Sequence, residues 1–314
     1  MKRRHFLQGS GIIGLGLGHF ASSVGQETEA KEKEVLIDVH QHINYSGRTN
    51  DDLIKHQETM GIAKSVLLPA GSVTLGATTH EGRSNGLAAR IFGTAAAAKL
   101  AVKHPDKFVY FANEVPDLPG ATKSIENWLK KGACGIGEQK FNIAIDSPEM
   151  MRIYELAREF KVPVLLHIEH DSYNHGFDRF HKVLEKFPTV NFIGHAQTWW
   201  GNIDKKHEQA VMYPKTKVSK GGLTDRLLSD YSNVFGDLSA GSGLNSMTRD
   251  LEHAADFLHR HQDKLMLGTD CNDSVGHGSE CSGAEAIKTV RALVPDASVR
   301  SKVFAENAKK VIKL

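Results

Sequence analysis

Val35-Leu36-Ile37-Asp38-Val39-His40-Gln41-His42 is the first of eight strand-like runs in the chain. Its aliphatic and β-branched residues predict a buried strand, and the run ends in two histidines at positions i and i+2. Because side chains alternate along a strand, both imidazoles are expected to point to the same side. Two neutral imidazoles on one face can hold zinc, iron, manganese or nickel. The pair alone is equally compatible with one packed and one solvated histidine, so the rest of the chain has to supply the context.

Strand-like runs recur along the chain and alternate with segments of helical spacing. The predicted strands are 35–39, 65–68, 108–111, 133–137, 162–166, 190–193, 234–238 and 265–267. The predicted helices include 51–60, 87–103, 124–130, 148–160, 177–187 and 250–259. Eight strands alternating with helices over about 250 residues predict an α/β protein with a (β/α)8 TIM barrel as a single domain, residues 34–314. A doubly wound sheet would need a glycine-rich phosphate turn after the first strand, and residues 38–42 do not form one.

The first 33 residues differ in character from the rest. A basic segment with Arg3 and Arg4 precedes an apolar, glycine-rich segment at 11–18, which is too short to span a bilayer as a mature helix. The arrangement resembles a twin-arginine export signal. Residues 1–33 are therefore predicted to be a signal peptide with a polar tether. The mature protein is predicted to be periplasmic or extracellular, without stable membrane insertion; the cleavage point stays open.

Composition excludes several classes of protein. Of the 314 residues, 40% are hydrophobic and 24% charged, as in a soluble globular protein, and the net charge of +2 does not indicate a nucleic-acid partner. The expected partner is a small-molecule substrate, and a homo-oligomer stays open. Cys134, Cys271 and Cys281 lack C-x-x-C spacing, so neither a disulfide framework nor a thiolate zinc knuckle is indicated. A bridge between Cys271 and Cys281 stays open for an exported protein.

Polar side chains follow five of the predicted strands at their carboxyl ends, where TIM barrels place their active sites. They are His40, His42, Glu138, Lys140, His167, His195 and Asp270. Independent chance placement is a poor explanation for such a set.

These residues carry a resemblance to a known family. The sequence resembles the amidohydrolase superfamily of metal-dependent hydrolases, in the amidohydrolase-related group that also contains several decarboxylases. The matching motifs are DVHQH (38–42), PVLLH (163–167), FIGH (192–195), NVFGDLS (233–239), LGTD (267–270) and ENA (306–308).

The resemblance implies a ligand set and a reaction. His40, His42 and His167 would be metal ligands, Asp270 would bind the metal or its water, and His195 would be a second-metal ligand or a catalytic imidazole. The implied reaction is hydrolysis of an amide, ester or lactone by a water whose pKa the metal lowers to about 7, with Asp270 as general base. Zinc is the first choice, as one or two ions. Non-oxidative decarboxylation on one divalent metal is the alternative, and a non-catalytic ligand-binding barrel is less favoured because the ligand set is intact.

Glu138 decides the expected number of metals. Three interpretations compete: Glu138 as a ligand that bridges two ions, Lys140 as an anchor for a substrate carboxylate, or a structural pair of the two. The bridging role is favoured because a cluster of carboxylates and imidazoles suits two ions. Asp38 either orients an imidazole or ends the strand through a polar turn, and the orienting role is favoured.

Three weaker candidates complete the prediction. Trp199, in a predicted loop after His195, is as compatible with a pocket wall as with packing. Arg83, in the glycine-rich loop 76–83, is a candidate for contact with an anionic substrate, although an exposed loop charge is favoured. The pair Asp237 and Ser239 is assigned to structure or to substrate contact without a choice.

Overall fold

A closed ring of parallel strands forms the centre of the computed structural model, which describes residues 34–71, 83–84 and 90–314. The described strands are β1 (Leu36–Gln41), β2 (Ile62–Leu67), β3 (Phe108–Tyr110), β4 (Ile136–Gln139), β5 (Val164–His167), β6 (Phe192–His195), β7 (Val234–Asp237) and β8 (Leu265–Met266). Neighbours pair in sequence order within β1–β3 and β4–β8. Ala112 pairs with Ile136 between β3 and β4, and the Val39 N–H donates to the Leu267 carbonyl (3.0 Å) to join β1 to β8. The predicted (β/α)8 barrel is confirmed.

Helices follow most of the strands. They are α1 (Asn50–Met60), α2 (Thr94–Lys103), α3 (Ala121–Lys130), α4 (Pro148–Phe160), α5 (Phe180–Lys186), α6 (Gln197–Gly201), α7 (Leu223–Asp230), α8 (Ala240–Thr248), α9 (Leu251–Arg260), α10 (Ser282–Leu293), α11 (Ala297–Ser301) and α12 (Asn307–Val311). Short 3₁₀ turns occupy Tyr45–Gly47 and Phe177–Arg179, and one π turn occupies Lys302–Glu306.

Helix α4 shows why the sequence pattern predicts these elements well. Ser147 accepts a hydrogen bond from the Met150 N–H, and proline stands at the first turn, so the start of the helix is fixed locally. Met150, Ile153, Tyr154 and Ala157 are buried at helical spacing. The prediction for α2 began too early, because the helix starts at Thr94 after Gly93; residues 87–89 lie outside the described part.

Two apolar layers hold the barrel together. The larger layer packs the helices against the outer faces of the strands. The smaller layer fills the interior with one or two residues from each strand region, including Ile37, Val66, Leu165, Ile193 and Phe235. Four residues near the carboxyl terminus belong to the same interior cluster: Ala305, Ala308, Val311 and Ile312. They cover the end where the strands begin, since the Asn307 amide donates to the Leu265 carbonyl (2.8 Å).

Residues Glu34–Leu314 form one compact unit. Among the described helices, none has both the length and the apolar character needed to cross a membrane. The predicted export signal, with Arg3 and Arg4, lies outside the described residues. Residues 76–82 of the glycine-rich loop also lie outside them. Both assignments stay predictions.

Candidate metal centre

Five of the predicted site residues meet at the carboxyl end of the barrel. His40 and His42 come from β1 and the residue after it, and their Nε2 atoms lie 3.1 Å apart. Asp270 follows β8, and its Oδ1 atom lies 3.3 Å from His42 Nε2 and 3.8 Å from His40 Nε2. Alternation along β1 therefore brings both imidazoles to one point, as the i, i+2 spacing predicts.

Glu138 and His195 complete the cluster. Glu138 lies on β4, and its Oε2 atom is 3.7 Å from His40 Nε2 and 3.5 Å from His42 Nε2. Its other oxygen, Oε1, lies 3.8 Å from Nε2 of His195, which in turn is 3.7 Å from Asp270 Oδ2. The Glu138 carboxylate thus faces imidazoles with both of its oxygens.

The outer nitrogen of each imidazole is held by a hydrogen bond. His42 Nδ1 lies 2.7 Å from the Leu68 carbonyl oxygen and must donate to it. His40 Nδ1 lies 2.6 Å from Asp237 Oδ2. An ionised carboxylate can only accept, so His40 Nδ1 donates to it. Ser239 donates its hydroxyl to Asp237 (2.8 Å) and accepts from His195 Nδ1 (2.9 Å). In the neutral rings, all three Nε2 lone pairs therefore point at the centre of the cluster.

This donor set fits a divalent cation. Two Nε2 lone pairs 3.1 Å apart repel each other unless a cation or proton lies between them. Asp270 Oδ1 is buried and has no hydrogen-bond partner among the described residues, so an acceptor is left without a donor. Ligand bonds of about 2.1 Å in a tetrahedron place ligand atoms about 3.4 Å apart, close to the separations found here. His40, His42 and Asp270 form one such triad, and His40, Glu138 and His195 form another.

The electrostatics of the cluster also favour a cation. Burial alone would lower the pKa of His40, but the carboxylates of Asp270 and Asp237 hold the pKa of this imidazole well above its ordinary value. Burial and the neighbouring charge on His40 lower the pKa of His195 to about 3. His195 is therefore neutral near pH 7 and can act as a ligand, while the carboxylates attract positive charge to the centre.

His167 lies beside the cluster, in contact with Glu138 and His195. Its Nδ1 lies 2.6 Å from Glu138 Oε1, and its Nε2 lies 3.1 Å from Glu169 Oε2. Both ring nitrogens thus contact carboxylates, and His167 belongs to neither triad. Its ring centre lies 5.2 Å from that of His195, in an edge contact.

Lys140 lies over the ring of Tyr173, and Arg83 lies on the surface. Lys140 Nζ is 5.2 Å from the centre of the Tyr173 ring, whose centre is 5.5 Å from that of His167. Arg83 is exposed, and its backbone N–H donates to Asp117 (3.0 Å). Contact of Lys140 or Arg83 with substrate stays a prediction.

Trp199 packs within the protein, which is one of the two roles that the sequence left open. The predicted loop is helix α6, and the indole is fully buried within the outer apolar layer. It lies over Gly194, where any Cβ would collide with the ring, and its ring centre is 5.7 Å from that of Phe177. Trp199 packs because Gly194 leaves room for it.

Asp38 does not orient an imidazole, which corrects the favoured expectation. It accepts from the backbone N–H of His40 (3.0 Å) and from the N–H (2.9 Å) and hydroxyl (2.6 Å) of Thr269. Asp38 therefore ties β1 to the segment after β8. The orienting carboxylate is Asp237, for which the only sequence signal was its place two residues before Ser239 on a strand.

Tyr45 is a site residue that the sequence analysis missed. Its ring centre lies 5.1 Å from that of His42, in an edge contact. The charge of Asp270, together with burial, raises the pKa of the Tyr45 hydroxyl well above its ordinary value. The hydroxyl therefore stays protonated and can donate a hydrogen bond. No sequence pattern marks a tyrosine in a short 3₁₀ turn as functional.

The Asp237 interaction makes a testable prediction. Asp237→Asn removes the charge that fixes the His40 ring, so we expect metal affinity to fall by about 10- to 100-fold. Competition with a chelator measures that affinity. The exposed Asp230→Asn is the matched control and should bind metal as the unaltered protein does. An unchanged affinity in Asp237→Asn would show that this contact does not support the ligand.

Known structures share this barrel. A probable 2-pyrone-4,6-dicarboxylic acid hydrolase from Acinetobacter baumannii, with citric acid bound, matches with a TM-score of 0.58 and 14% identity, over 88% of this chain and 98% of that one. A 5-carboxyvanillate decarboxylase from Sphingomonas paucimobilis matches with a TM-score of 0.56 and 11% identity, over 90% of this chain and 100% of that one. A second 5-carboxyvanillate decarboxylase, from Novosphingobium aromaticivorans and complexed with manganese, matches with a TM-score of 0.51 and 18% identity. The match covers 83% of this chain and 79% of that one.

The sequence comparison adds the family. No curated protein matches the chain. A family model described as Amidohydrolase matches residues 37–314, which is nearly the whole barrel. The predicted resemblance is thereby confirmed, and with it the expectation of an amidohydrolase-type enzyme. The chain belongs to the amidohydrolase family.

Proposed function

We propose that this protein is a metal-dependent hydrolase that cleaves an amide, ester or lactone bond of a small molecule, with Asp270 as general base. The observation that supports this role is the exposure of Asp270. Its side chain is 12% exposed, whereas those of His40, His42, Glu138 and His195 are at most 3% exposed. Asp270 is therefore the member of the cluster that can exchange a proton with a bound molecule.

The backbone at Asp270 supports the same role. Its φ of +45° lies in the left-handed region, which residues other than glycine rarely occupy. The Asp270 N–H donates to the His40 carbonyl (2.8 Å), so the surrounding structure enforces this conformation. Such strain is concentrated at functional sites, where it places a side chain that the site needs.

The residues that would hold the cation are His40, His42, Glu138, His195 and Asp270, and we propose zinc because imidazole and carboxylate ligands suit it. A bound divalent cation supplies Lewis-acid polarisation of the scissile carbonyl group. Glu138 faces His40 and His42 with one oxygen and His195 with the other, which supports a bridging role and two ions.

Proton transfer is assigned to this chain's own residues. Asp270 takes a proton from the attacking water and returns it to the leaving group, which is general acid–base catalysis. His195, whose Nε2 is neutral, and the protonated Tyr45 hydroxyl flank Asp270. The Tyr45 hydroxyl is a donor that can stabilise the developing oxyanion.

Decarboxylation on one divalent metal is the second candidate. It is favoured by the decarboxylases among the similar structures, one of them complexed with manganese. Lys140, two residues after Glu138, would then anchor a substrate carboxylate.

A substrate panel in isotopically labelled water distinguishes the two reactions. Amides, esters, lactones and aromatic carboxylates are offered to the metal-loaded enzyme. Incorporation of labelled oxygen into a product carboxylate is the expected result, together with two ions bound by the catalytic cluster and loss of one of them in Glu138→Ala. Release of CO₂ without incorporation, with one ion in the catalytic cluster, would replace hydrolysis by decarboxylation.

A further inference from the structure

A second group of metal-ligating side chains lies next to the candidate metal centre and shares no residue with it. It combines His56 of α1, Cys271 and Asp273 of the segment after β8, and Cys281, which caps α10. His56 Nε2 lies 3.1 Å from Asp273 Oδ2 and 3.5 Å from Cys281 Sγ. Cys271 Sγ lies 3.5 Å from Cys281 Sγ.

These separations match a tetrahedral zinc site. With Zn–S bonds of about 2.3 Å and Zn–N or Zn–O bonds of about 2.0 Å, a tetrahedron places two sulfurs about 3.8 Å apart, sulfur and nitrogen about 3.6 Å apart, and nitrogen and oxygen about 3.3 Å apart. Three of the pairs above fall within a few tenths of an ångström of those values. The contact between Cys271 Sγ and Asp273 Oδ2, at 2.6 Å, is shorter and has to open on binding.

The four side chains are held with their donor atoms facing one another. His56, Cys271 and Cys281 are at most 2% exposed. Within the described ranges His56 Nδ1 has no hydrogen-bond partner, so the polar contacts of this buried ring are all made by Nε2. Asp273 Oδ1 accepts from the N–H groups of Val275 (2.7 Å) and Gly276 (2.9 Å), which leaves Oδ2 to the cluster.

The surroundings also match the charge of a loaded site. Two thiolates, one carboxylate and a divalent cation sum to a net charge of about −1. The buried Arg48 guanidinium donates to the Asp273 carbonyl (2.7 Å) and compensates that charge. A disulfide is the competing use of the two cysteines, but it needs sulfurs about 2.05 Å apart. It would also not explain why His56 and Asp273 lie against the same pair of sulfurs.

We propose that His56, Cys271, Asp273 and Cys281 form a second metal site, which binds zinc for structure. Four protein ligands close the coordination sphere, so no position is left for a substrate. Binding releases the protons of the two thiols and ties α1 and the start of α10 to the segment after β8. Because Cys271 directly follows Asp270, the site fixes the backbone that carries the proposed general base.

Cobalt substitution tests this site independently of catalysis. The full-length protein loaded with Co²⁺ is expected to show a thiolate-to-cobalt charge-transfer band in the near ultraviolet. Cys281→Ser should abolish the band and lower the zinc content by one equivalent. Cys134→Ser, which removes a buried thiol of the barrel interior, is the matched control and should keep both. Asp270→Asn should also keep the band, since the catalytic cluster has only nitrogen and oxygen ligands.

The unaltered protein provides a second measurement if Cys281→Ser fails to fold. A thiol-specific mercurial reagent is expected to release one equivalent of zinc as it titrates Cys271 and Cys281. Absence of the charge-transfer band in unaltered cobalt protein would overturn the proposal. So would a mass spectrum of the purified protein that shows Cys271 and Cys281 joined in a disulfide.

Discussion

Replacement of Asp270 by Asn is expected to lower the turnover number by about two to four orders of magnitude, the range that general acid–base groups contribute. The amide keeps the shape of the side chain and offers an oxygen where Asp270 Oδ1 lies, so the fold and much of the metal content should be retained. It cannot accept a proton. Because the lost function belongs to the transition state, kcat should fall more than KM changes.

Three measurements on Asp270→Asn make that prediction specific: steady-state kinetics, elemental analysis and thermal unfolding. The exposed Asp106→Asn is the matched control and should behave as the unaltered enzyme in all three. Full activity in Asp270→Asn would remove Asp270 from the mechanism. Loss of metal together with activity would show that Asp270 acts as a ligand and would leave its role as general base without support.

His40→Ala is expected to have the largest effect on metal content, because His40 belongs to both triads of the cluster. The cluster should lose its metal, and activity should be abolished. The substitution also leaves the buried Asp237 carboxylate without its partner 2.6 Å away. Breaking a buried pair in this way costs about 3–5 kcal/mol, so the free energy of unfolding should fall accordingly.

A double variant separates the two effects of His40→Ala. His40→Ala with Asp237→Asn removes the unpaired charge as well, so chemical denaturation should show part of the stability restored while the metal stays absent. His259→Ala, on the exposed face of α9, is the matched control and should keep metal and stability. A full complement of cluster metal in His40→Ala would contradict the ligand assignment.

The sequence predicted the barrel well because each strand is an apolar run with its own local signal. The five clustered residues were predictable for a related reason: each lies within three residues after the end of such a run, and parallel strands end at one rim. Contacts between distant residues left no local signal. The carboxylate that orients His40 lies 197 positions away, and the partner of His56 at Asp273 lies 217 positions away. The role of Trp199 stayed open because the space that its indole fills exists only where Gly194 has no side chain.

The way the barrel closes has a consequence for its biosynthesis. The bond between Val39 and Leu267 and the interior packing of Ala308 and Ile312 join the first strand to residues made last. Until those residues emerge from the ribosome, the nascent chain carries an incomplete sheet with unpaired edges and an unfilled interior. Contacts so distant in sequence form slowly, and open strand edges invite aggregation. We therefore expect the chain to depend on chaperone protection between synthesis of its first strand and completion of its last turn.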